Sequence, residues 1–284
     1  MFAVIDKSLI LQSSAKTLQD AGIERPWREL RHLVADECCC RYEDVMFFDV
    51  QISDQQLNNI RNKVNRRANH EPLSKILGKV NFWKHVFCTT KDTLDPRPEG
   101  ELFVETVLEY YKDQNQPITF LDLGTGTGCL LLSCLSEYCN AIGVGVDICE
   151  KALLVARQNA TNLGIAKRVS FYKEVWNNNI HGVFDVILCN PPYIKNTEKL
   201  PKEVLWDPAI ALFGGDDGLR AYQEIFPMLR KNIHENSKIL IEIGVGQQND
   251  VCKIATTEHF QLTKTVYDLQ NIPRVLVFRL STVV

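Results

Sequence analysis

Four consecutive residues, Asn190-Pro191-Pro192-Tyr193, have the types and order needed to hold an NH2 group. The two prolines fix φ and remove two N–H donors, so carbonyl oxygens remain as acceptors. The Asn190 side chain and the Pro191 carbonyl can each accept one N–H, and Tyr193 can stack on a planar group. The segment is predicted to aim the lone pair of an amide or aromatic amine at an electrophile. The alternative is a simple turn in which Tyr193 only packs.

A glycine-rich segment lies upstream, with the sequence Asp122-Leu123-Gly124-Thr125-Gly126-Thr127-Gly128. It follows an apolar run and precedes a helical pattern, where glycines let the backbone approach a ligand closely. Asp147 stands nineteen positions after Gly128, where a carboxylate can accept hydrogen bonds from both hydroxyls of a ribose. The glycines alone could mark an ordinary turn, but together with Asp147 they predict a nucleoside-containing ligand.

The third glycine decides between a dinucleotide and S-adenosylmethionine. The dinucleotide-binding pattern is Gly-x-Gly-x-x-Gly, in which Ala can replace the last Gly. If the pattern starts at Gly124, its last position is Cys129, and if it starts at Gly126, its last position is Leu131. Both registers fail. S-adenosylmethionine has no pyrophosphate and needs acceptors for its ammonium and sulfonium groups, which Asp122 can supply unless it is only a turn residue. We therefore expect direct in-line methyl transfer, in which the product nitrogen loses its proton afterwards and no strong base is needed.

The elements that position these residues alternate between strand and helix. Helices are predicted from Cys129 and over 150–163. The predicted strands are 119–123, 141–146, 169–172, 183–189, 237–243, 262–267 and 274–279. This order predicts an α/β fold, with a doubly wound, mainly parallel sheet and an antiparallel pair at its end.

The first seventy residues or so are predicted to form a small helical domain. Pro26 suits a first helical position. The following apolar face is Trp27, Leu30, Leu33 and Val34, and a second stripe is Leu57, Ile60 and Val64. Ser53 with Gln56 is typical of a capping box. The basic cluster on the second stripe's helix (Arg61, Lys63, Arg66 and Arg67) predicts a solvated face, with contact to ribosomal RNA or an acidic partner as the alternative.

The pattern becomes β-rich from Ser74 to Thr90, with Gly78 as a turn candidate, and predicts a hairpin between two domains. The expected organisation is a helical domain over 1–72, a hairpin linker over 73–90 and a methyltransferase domain over 91–284.

The composition sets the context for these sites. A formal charge of −3 gives no global attraction to phosphate, so direct DNA binding is not expected. No long apolar run suits a membrane span or a signal peptide, and ten cysteines without a secreted framework favour reduced thiols in the cytoplasm. Cys38-Cys39-Cys40 is a poor tetrahedral site, and no metal is expected. We expect a monomer.

Together these motifs resemble the protein-(glutamine-N5) methyltransferases that modify peptide chain release factors. The resemblance spans nearly the whole chain. Besides the two segments above, it includes Ser74 to Gly78, Pro96 to Glu99, Gly214 to Leu219, Ile241 to Gly244, and Asp268 with Arg274. The chain departs from the family at Gly100, which usually is polar, and at Asp207-Pro208, which usually is Glu-Pro.

The resemblance implies a class I S-adenosylmethionine-dependent methyltransferase fold. It also implies that the substrate is the glutamine in the Gly-Gly-Gln loop of class I release factors, methylated on its side-chain nitrogen, in support of translation termination. Gly124 to Gly128, Asp147, Trp176 and Asn190 would contact the cofactor, and Asn190 to Tyr193 would hold the glutamine. S-adenosylhomocysteine would be the product, and the helical domain would grip the release factor.

Two rival functions remain at this point. An adenine-N6 nucleic-acid methyltransferase could hold a flipped base with the same NH2 grip, but it needs a basic target-recognition region. A noncatalytic protein could bind release factors without methyl transfer. The intact glycine segment and Asp147 argue against the noncatalytic binder.

Overall fold

The computed structural model describes residues 7–47, 50–176 and 180–281. The chain forms two compact units. One is the N-terminal part up to Gly78 together with Pro201–Trp206, and the other is the chain from Lys79 onward without that segment. Within the described ranges, no helix has the length and apolar character required to cross a membrane.

The first unit is helical and packs around an apolar core. Its helices are α1 (Lys7–Asp20), α2 (Pro26–Glu37), α3 (Tyr42–Phe47), α4 (Asp54–Ala68) and α5 (Leu73–Leu77). Pro26 begins α2, and Ser53 and Gln56 form the predicted capping box of α4. The core includes Leu18, Leu30, Leu33, Ile60 and Val64. Trp27 was predicted on the apolar face of α2, but it is 45% exposed, in the first turn of that helix.

The basic cluster is not a free cationic surface. Three of its four cations are neutralised by carboxylates of the same unit. The pairs are Lys63 with Asp36 and Glu37, Arg66 with Glu71, and Arg67 with Glu29 and Glu203. The side chain of Arg67 is only 5% exposed, so its charge requires these partners. The prediction of a solvated face is therefore wrong for Lys63 and Arg67.

The predicted β-rich stretch begins later than the sequence indicated. Residues 74–77 belong to the helix α5, and Gly78 ends that helix with φ of 67°. The hairpin follows as β1 (Lys79–Phe82) and β2 (His85–Cys88). Trp83 turns the chain between the strands with φ of 55°.

The second unit carries a seven-stranded sheet. Its remaining strands are β3 (Thr119–Leu123), β4 (Ile142–Asp147), β5 (Val169–Lys173), β6 (Phe184–Cys189), β7 (Ile233–Glu242), β8 (Phe260–Tyr267) and β9 (Pro273–Leu280). The order is β5-β4-β3-β6-β7-β9-β8. The first five strands in this order are parallel, whereas β9 is antiparallel to both β7 and β8. The predicted doubly wound sheet and its antiparallel end are confirmed.

Helices cover both faces of this sheet. They are α6 (Glu101–Tyr110), α7 (Cys129–Glu137), α8 (Glu150–Asn162), α9 (Ala209–Leu212), α10 (Arg220–Leu229) and α11 (Gln248–Thr257). Alternate residues of β3 serve opposite faces, since Phe120 joins the core beneath α6, α7 and α8, and Leu121 joins the core beneath α10 and α11. Strands buried on both sides explain the continuous apolar runs in the sequence.

Candidate active site

The site lies where the strand order reverses. From β3 the chain proceeds outward to β4 and β5, and then returns to add β6 on the other side of β3. A doubly wound sheet opens a crevice at such a point, beyond the carboxyl ends of its strands. The glycine-rich segment follows β3 and Asn190 follows β6, so the fold brings the two predicted motifs side by side.

The glycine-rich segment forms a tight loop that presents backbone rather than side chains. Gly124, Gly126 and Gly128 have φ of 74°, 55° and 79°, a region that strains residues with a side chain. The amides of Gly124 and Thr125 both donate to the carbonyl oxygen of Val146 at 2.9 Å. This fixes the loop against the neighbouring strand β4.

Asp147 joins this loop to the start of α8. Its Oδ2 accepts the Gly126 amide at 2.9 Å, and its Oδ1 accepts the Cys149 amide at 2.8 Å. Each oxygen keeps acceptor capacity beyond that one bond. Burial raises the pKa of Asp147 above its ordinary value, partly offset by these amides. The carboxylate is thus rigidly aimed and can accept further hydrogen bonds.

Asp122 lies beneath the loop. Only 1% of it is exposed, and its Oδ2 accepts the Thr125 hydroxyl at 2.6 Å. Burial raises the pKa of Asp122 to about 7. Its Oδ1 lacks a hydrogen-bond partner among the described residues. The carboxylate therefore braces the loop and leaves one oxygen unsatisfied.

A cavity of about 450 Å³ opens beside these residues, within the second unit. It brings together half of the predicted site, namely Gly124, Gly126, Asp147, Trp176, Asn190 and Pro192. The predicted residues that do not line it are Asp122, Thr125, Thr127, Gly128, Pro191 and Tyr193. The Trp176 ring stands against the loop, since a Cβ added at Gly124 would lie 3.9 Å from it.

The cavity also has walls that were not predicted from the sequence. They are Asp92 to Leu94, Ile148, Cys149, Glu174, Val175, Pro208, Ile210, Ala211, Phe213 and Gly214, with Ala152, Arg220, Ala221 and Glu224. Ile148 and Cys149 could have been predicted as cavity residues from the sequence, because they directly follow Asp147. Asp207 explains how Pro208 is placed, because its buried carboxylate accepts the Asp95 amide at 3.2 Å and the Arg97 guanidinium at 2.7 Å.

The segment 190–193, which we name the acceptor loop, leaves two groups available. Neither the Asn190 side chain nor the Pro191 carbonyl has a hydrogen-bond partner among the described residues. Tyr193 differs, because its hydroxyl donates to Glu242 Oε1 at 3.1 Å. Burial and the Glu242 carboxyl raise the pKa of Tyr193, so its hydroxyl stays protonated. The loop can accept hydrogen bonds at one end while the other end is anchored.

These features fit S-adenosylmethionine. The loop backbone admits close approach, Asp147 can accept from a ribose, and the indole of Trp176 offers an aromatic surface for an adenine. The sheet order and this site define a class I S-adenosylmethionine-dependent methyltransferase.

Comparison with known proteins gives the particular family. Residues 114–271 match the model described as a methyltransferase domain, and residues 10–78 match the PrmC N-terminal domain. A release factor glutamine methyltransferase of Agrobacterium fabrum is 36% identical over 98% of both chains. Its counterpart from Caulobacter vibrioides is 34% identical over 91% of both chains. The chain belongs to the release factor glutamine methyltransferase family.

A solved structure supports the fold alone. The ribosomal protein L11 methylase of Lactobacillus delbrueckii subsp. bulgaricus superposes with a TM-score of 0.50 at 16% identity, covering 72% of this chain and 98% of that one. This agrees with the class I methyltransferase fold.

Proposed function

We propose that this chain transfers the methyl group of S-adenosylmethionine to the side-chain amide nitrogen of the glutamine in the Gly-Gly-Gln loop of class I release factors. The observation that carries the proposal is the acceptor loop: Asn190 lines the cavity, and neither its side chain nor the Pro191 carbonyl has a hydrogen-bond partner among the described residues. An amide NH2 has two N–H donors, which match these two acceptors. The family supplies the identity of the protein substrate.

The cofactor is proposed to be held by the loop Gly124 to Gly128, with Asp147 at the ribose, Trp176 beside the adenine and Asn190 near the sulfonium. When bound, S-adenosylmethionine supplies the electrophilic methyl group and leaves as S-adenosylhomocysteine. Asp122 is proposed to act on the cofactor indirectly, by holding the Thr125 hydroxyl of the glycine-rich loop, because Asp122 does not line the cavity. No metal is invoked.

The protein's task at the acceptor is orientation. An amide nitrogen is a poor nucleophile because its lone pair is delocalised. Two fixed acceptors would hold both N–H groups and turn the lone pair toward the methyl group, which converts a bimolecular step into an intramolecular one. The nitrogen becomes acidic once it is methylated and can then release its proton to solvent.

The release factor is proposed to dock on the helical unit, within the predicted range 1–72. The paired basic cluster offers no free cationic face for this purpose, since only Arg61 lacks a carboxylate partner among the described residues. We also propose a cytoplasmic monomer that binds neither DNA nor membranes directly.

The test is transfer of labelled methyl from S-adenosylmethionine to a purified class I release factor. Parallel reactions use the same factor with Gln→Ala in its Gly-Gly-Gln loop, and duplex DNA. Label on the wild-type factor alone is expected. Label on DNA alone would replace the proposal with the adenine-N6 function, and failure to bind S-adenosylmethionine would favour the noncatalytic binder. Cofactor binding without any transfer would mean that the acceptor is a different molecule.

A further inference from the structure

Tyr193 is held at both of its ends. Gln247 Nε2 donates to the Tyr193 carbonyl oxygen at 3.0 Å, and the Tyr193 hydroxyl donates to Glu242 Oε1 at 3.1 Å. Glu242 is the last residue of β7, and Gln247 directly precedes α11. Glu242 is 4% exposed and its Oε2 has no partner in the described part of the chain. Tyr193, in the loop after β6, is therefore anchored to the end of the neighbouring strand β7 and to the start of α11.

Both the nitrogen and the oxygen of the Gln247 side-chain amide form hydrogen bonds. Its Nε2 also donates to the Gly218 carbonyl at 3.3 Å, while its Oε1 accepts the Gly244 amide at 2.9 Å and the Tyr222 hydroxyl at 3.3 Å. Gln247 is 8% exposed. A rotated amide would place its NH2 against the Gly244 N–H and its oxygen against two carbonyls, so only one orientation satisfies all of these groups.

The backbone packs so closely around the Gln247 amide and the acceptor loop that only glycine fits at positions 218 and 214. A Cβ at Gly218 would lie 2.4 Å from the Tyr193 carbonyl oxygen and 2.8 Å from Gln247 Nε2. A Cβ at Gly214 would lie 2.4 Å from the Pro192 carbonyl oxygen. Two carbonyls of the acceptor loop thus face the protein. The Pro191 carbonyl, in contrast, has no hydrogen-bond partner among the described residues.

We infer that Gln247 is a positioning residue for methyl transfer, which it serves by fixing the orientation of the acceptor loop through Tyr193. The inference rests on the proposed function. Both prolines have a fixed φ, so few rotatable bonds separate the anchored Tyr193 carbonyl from the Pro191 carbonyl and Asn190. An error of about 1 Å in the placement of a reacting group can cost about a hundredfold in rate. Glu242 completes the anchor at the tyrosine hydroxyl.

The test substitutes Gln247→Glu, which keeps the shape but replaces the donating NH2 with oxygen. The expected result is a fall in kcat of roughly ten- to a hundredfold, with little change in the Kd of S-adenosylhomocysteine measured by calorimetry. Gln247→Met provides a second, uncharged variant of similar length that also lacks the donors. Circular dichroism and thermal melting establish that each variant is folded.

Asn232→Asp is the matched control. Asn232 is 2% exposed, and its Nδ2 donates to the carbonyls of Ile180 and Gly182 at 3.0 and 2.9 Å. Like Gln247, it is a buried amide that donates to two backbone carbonyls, but it lies before β7, at the end of that strand opposite to the site. The control should lose stability while kcat stays near the wild-type value. Equal losses of kcat in Gln247→Glu and Asn232→Asp, or wild-type kcat in both Gln247 variants, would overturn the inference.

Amide hydrogen exchange gives a readout that needs no substrate. The Ile194 amide, which donates to the Leu212 carbonyl at 2.9 Å, should exchange faster in Gln247→Glu and not in Asn232→Asp. If the wild-type protein fails to methylate any release factor, the proposed function fails, and exchange alone decides the anchoring. Unchanged exchange at Ile194 in both Gln247 variants would then refute it.

Discussion

At the scale of single residues, Asn190 has the largest predicted effect on turnover. Asn190→Ala removes one of the two acceptors that would orient the substrate amide, so kcat should fall by about a hundredfold while the fold persists. Steady-state kinetics with a release factor measures this. Asn196→Ala is the control, since Asn196 is exposed on the following segment and its side chain donates to Asp216. Wild-type turnover in Asn190→Ala would exclude the proposed role.

Asp147 should control cofactor affinity. Asp147→Ala removes the carboxylate proposed to bind the ribose and frees the Gly126 amide, so binding of S-adenosylhomocysteine should weaken by roughly 1–3 kcal/mol. Isothermal titration calorimetry gives the value. Asp113→Ala removes a comparable bond, from Asp113 Oδ1 to the amide two residues on, far from the cavity. Equal affinity in Asp147→Ala and wild type would make Asp147 a mere strand terminator.

Glu242 should make stability depend on pH. Burial raises its pKa from 4.5 to about 7, so between these values the folded state keeps a proton that the unfolded chain has lost. The contribution is complete below pH 4.5 and disappears as pH rises through 7. Glu242→Gln should reduce this decline, by about 1.4 kcal/mol for each unit of pKa shift.

Urea denaturation of both proteins between pH 5 and pH 8 tests the Glu242 prediction. A shallower slope should remain in Glu242→Gln, because Asp122 also has a pKa of about 7 and contributes with the same sign. Parallel pH dependences in the variant and the wild type would show that Glu242 does not carry the effect.

Individual residues also show why half of the site could be predicted. Gly124 and Asn190 directly follow strands and Asp147 ends one. The apolar runs of these strands are visible in the sequence, and the carboxyl ends of parallel strands lie at one edge of the sheet. Gln247 has no such signal. Its role depends on hydrogen bonds to residues 29 and 54 positions away, which local patterns do not encode.

At the scale of elements, the cap of α4 should contribute to the helical unit. Ser53 Oγ accepts the Gln56 amide at 3.3 Å and Gln56 Oε1 accepts the Ser53 amide at 3.0 Å. Ser53→Ala should therefore destabilise the protein by about 1 kcal/mol, as judged by chemical denaturation. Ser13→Ala is the control, because Ser13 lies exposed inside α1 and only bonds back to the Ile10 carbonyl. A Ser53→Ala protein as stable as that control would contradict the capping role.

Elements with a strong period were predicted well, and short ones were not. Helix α7 begins at Cys129 and β3 spans Thr119–Leu123, as the pattern indicated. The five-residue helix α5 was interpreted as strand because its apolar residues show no complete helical period. Gly78 was a turn candidate in the sequence, and in the structure it ends a helix rather than joining two strands.

At the scale of the whole molecule, the net charge can be read from the sequence, but the pairing of individual charges cannot. From the net charge of −3 we expected no general attraction to phosphate, and this stays a prediction. The segment Pro201–Trp206, however, belongs to the helical unit and supplies Glu203 to Arg67, a pairing across 136 positions. Three of the four cations of the basic cluster are thus neutralised, and Lys63 and Arg67 are paired with carboxylates from remote parts of the chain.

The central claim concerns one atom, the side-chain nitrogen of a glutamine, so the direct measurement is tandem mass spectrometry of a release factor after reaction with this protein and S-adenosylmethionine. The account predicts a single methyl group on the glutamine side chain of the Gly-Gly-Gln loop, absent when Asn190→Ala replaces the wild-type enzyme. A methyl group on any other residue, or on the main chain, would contradict it.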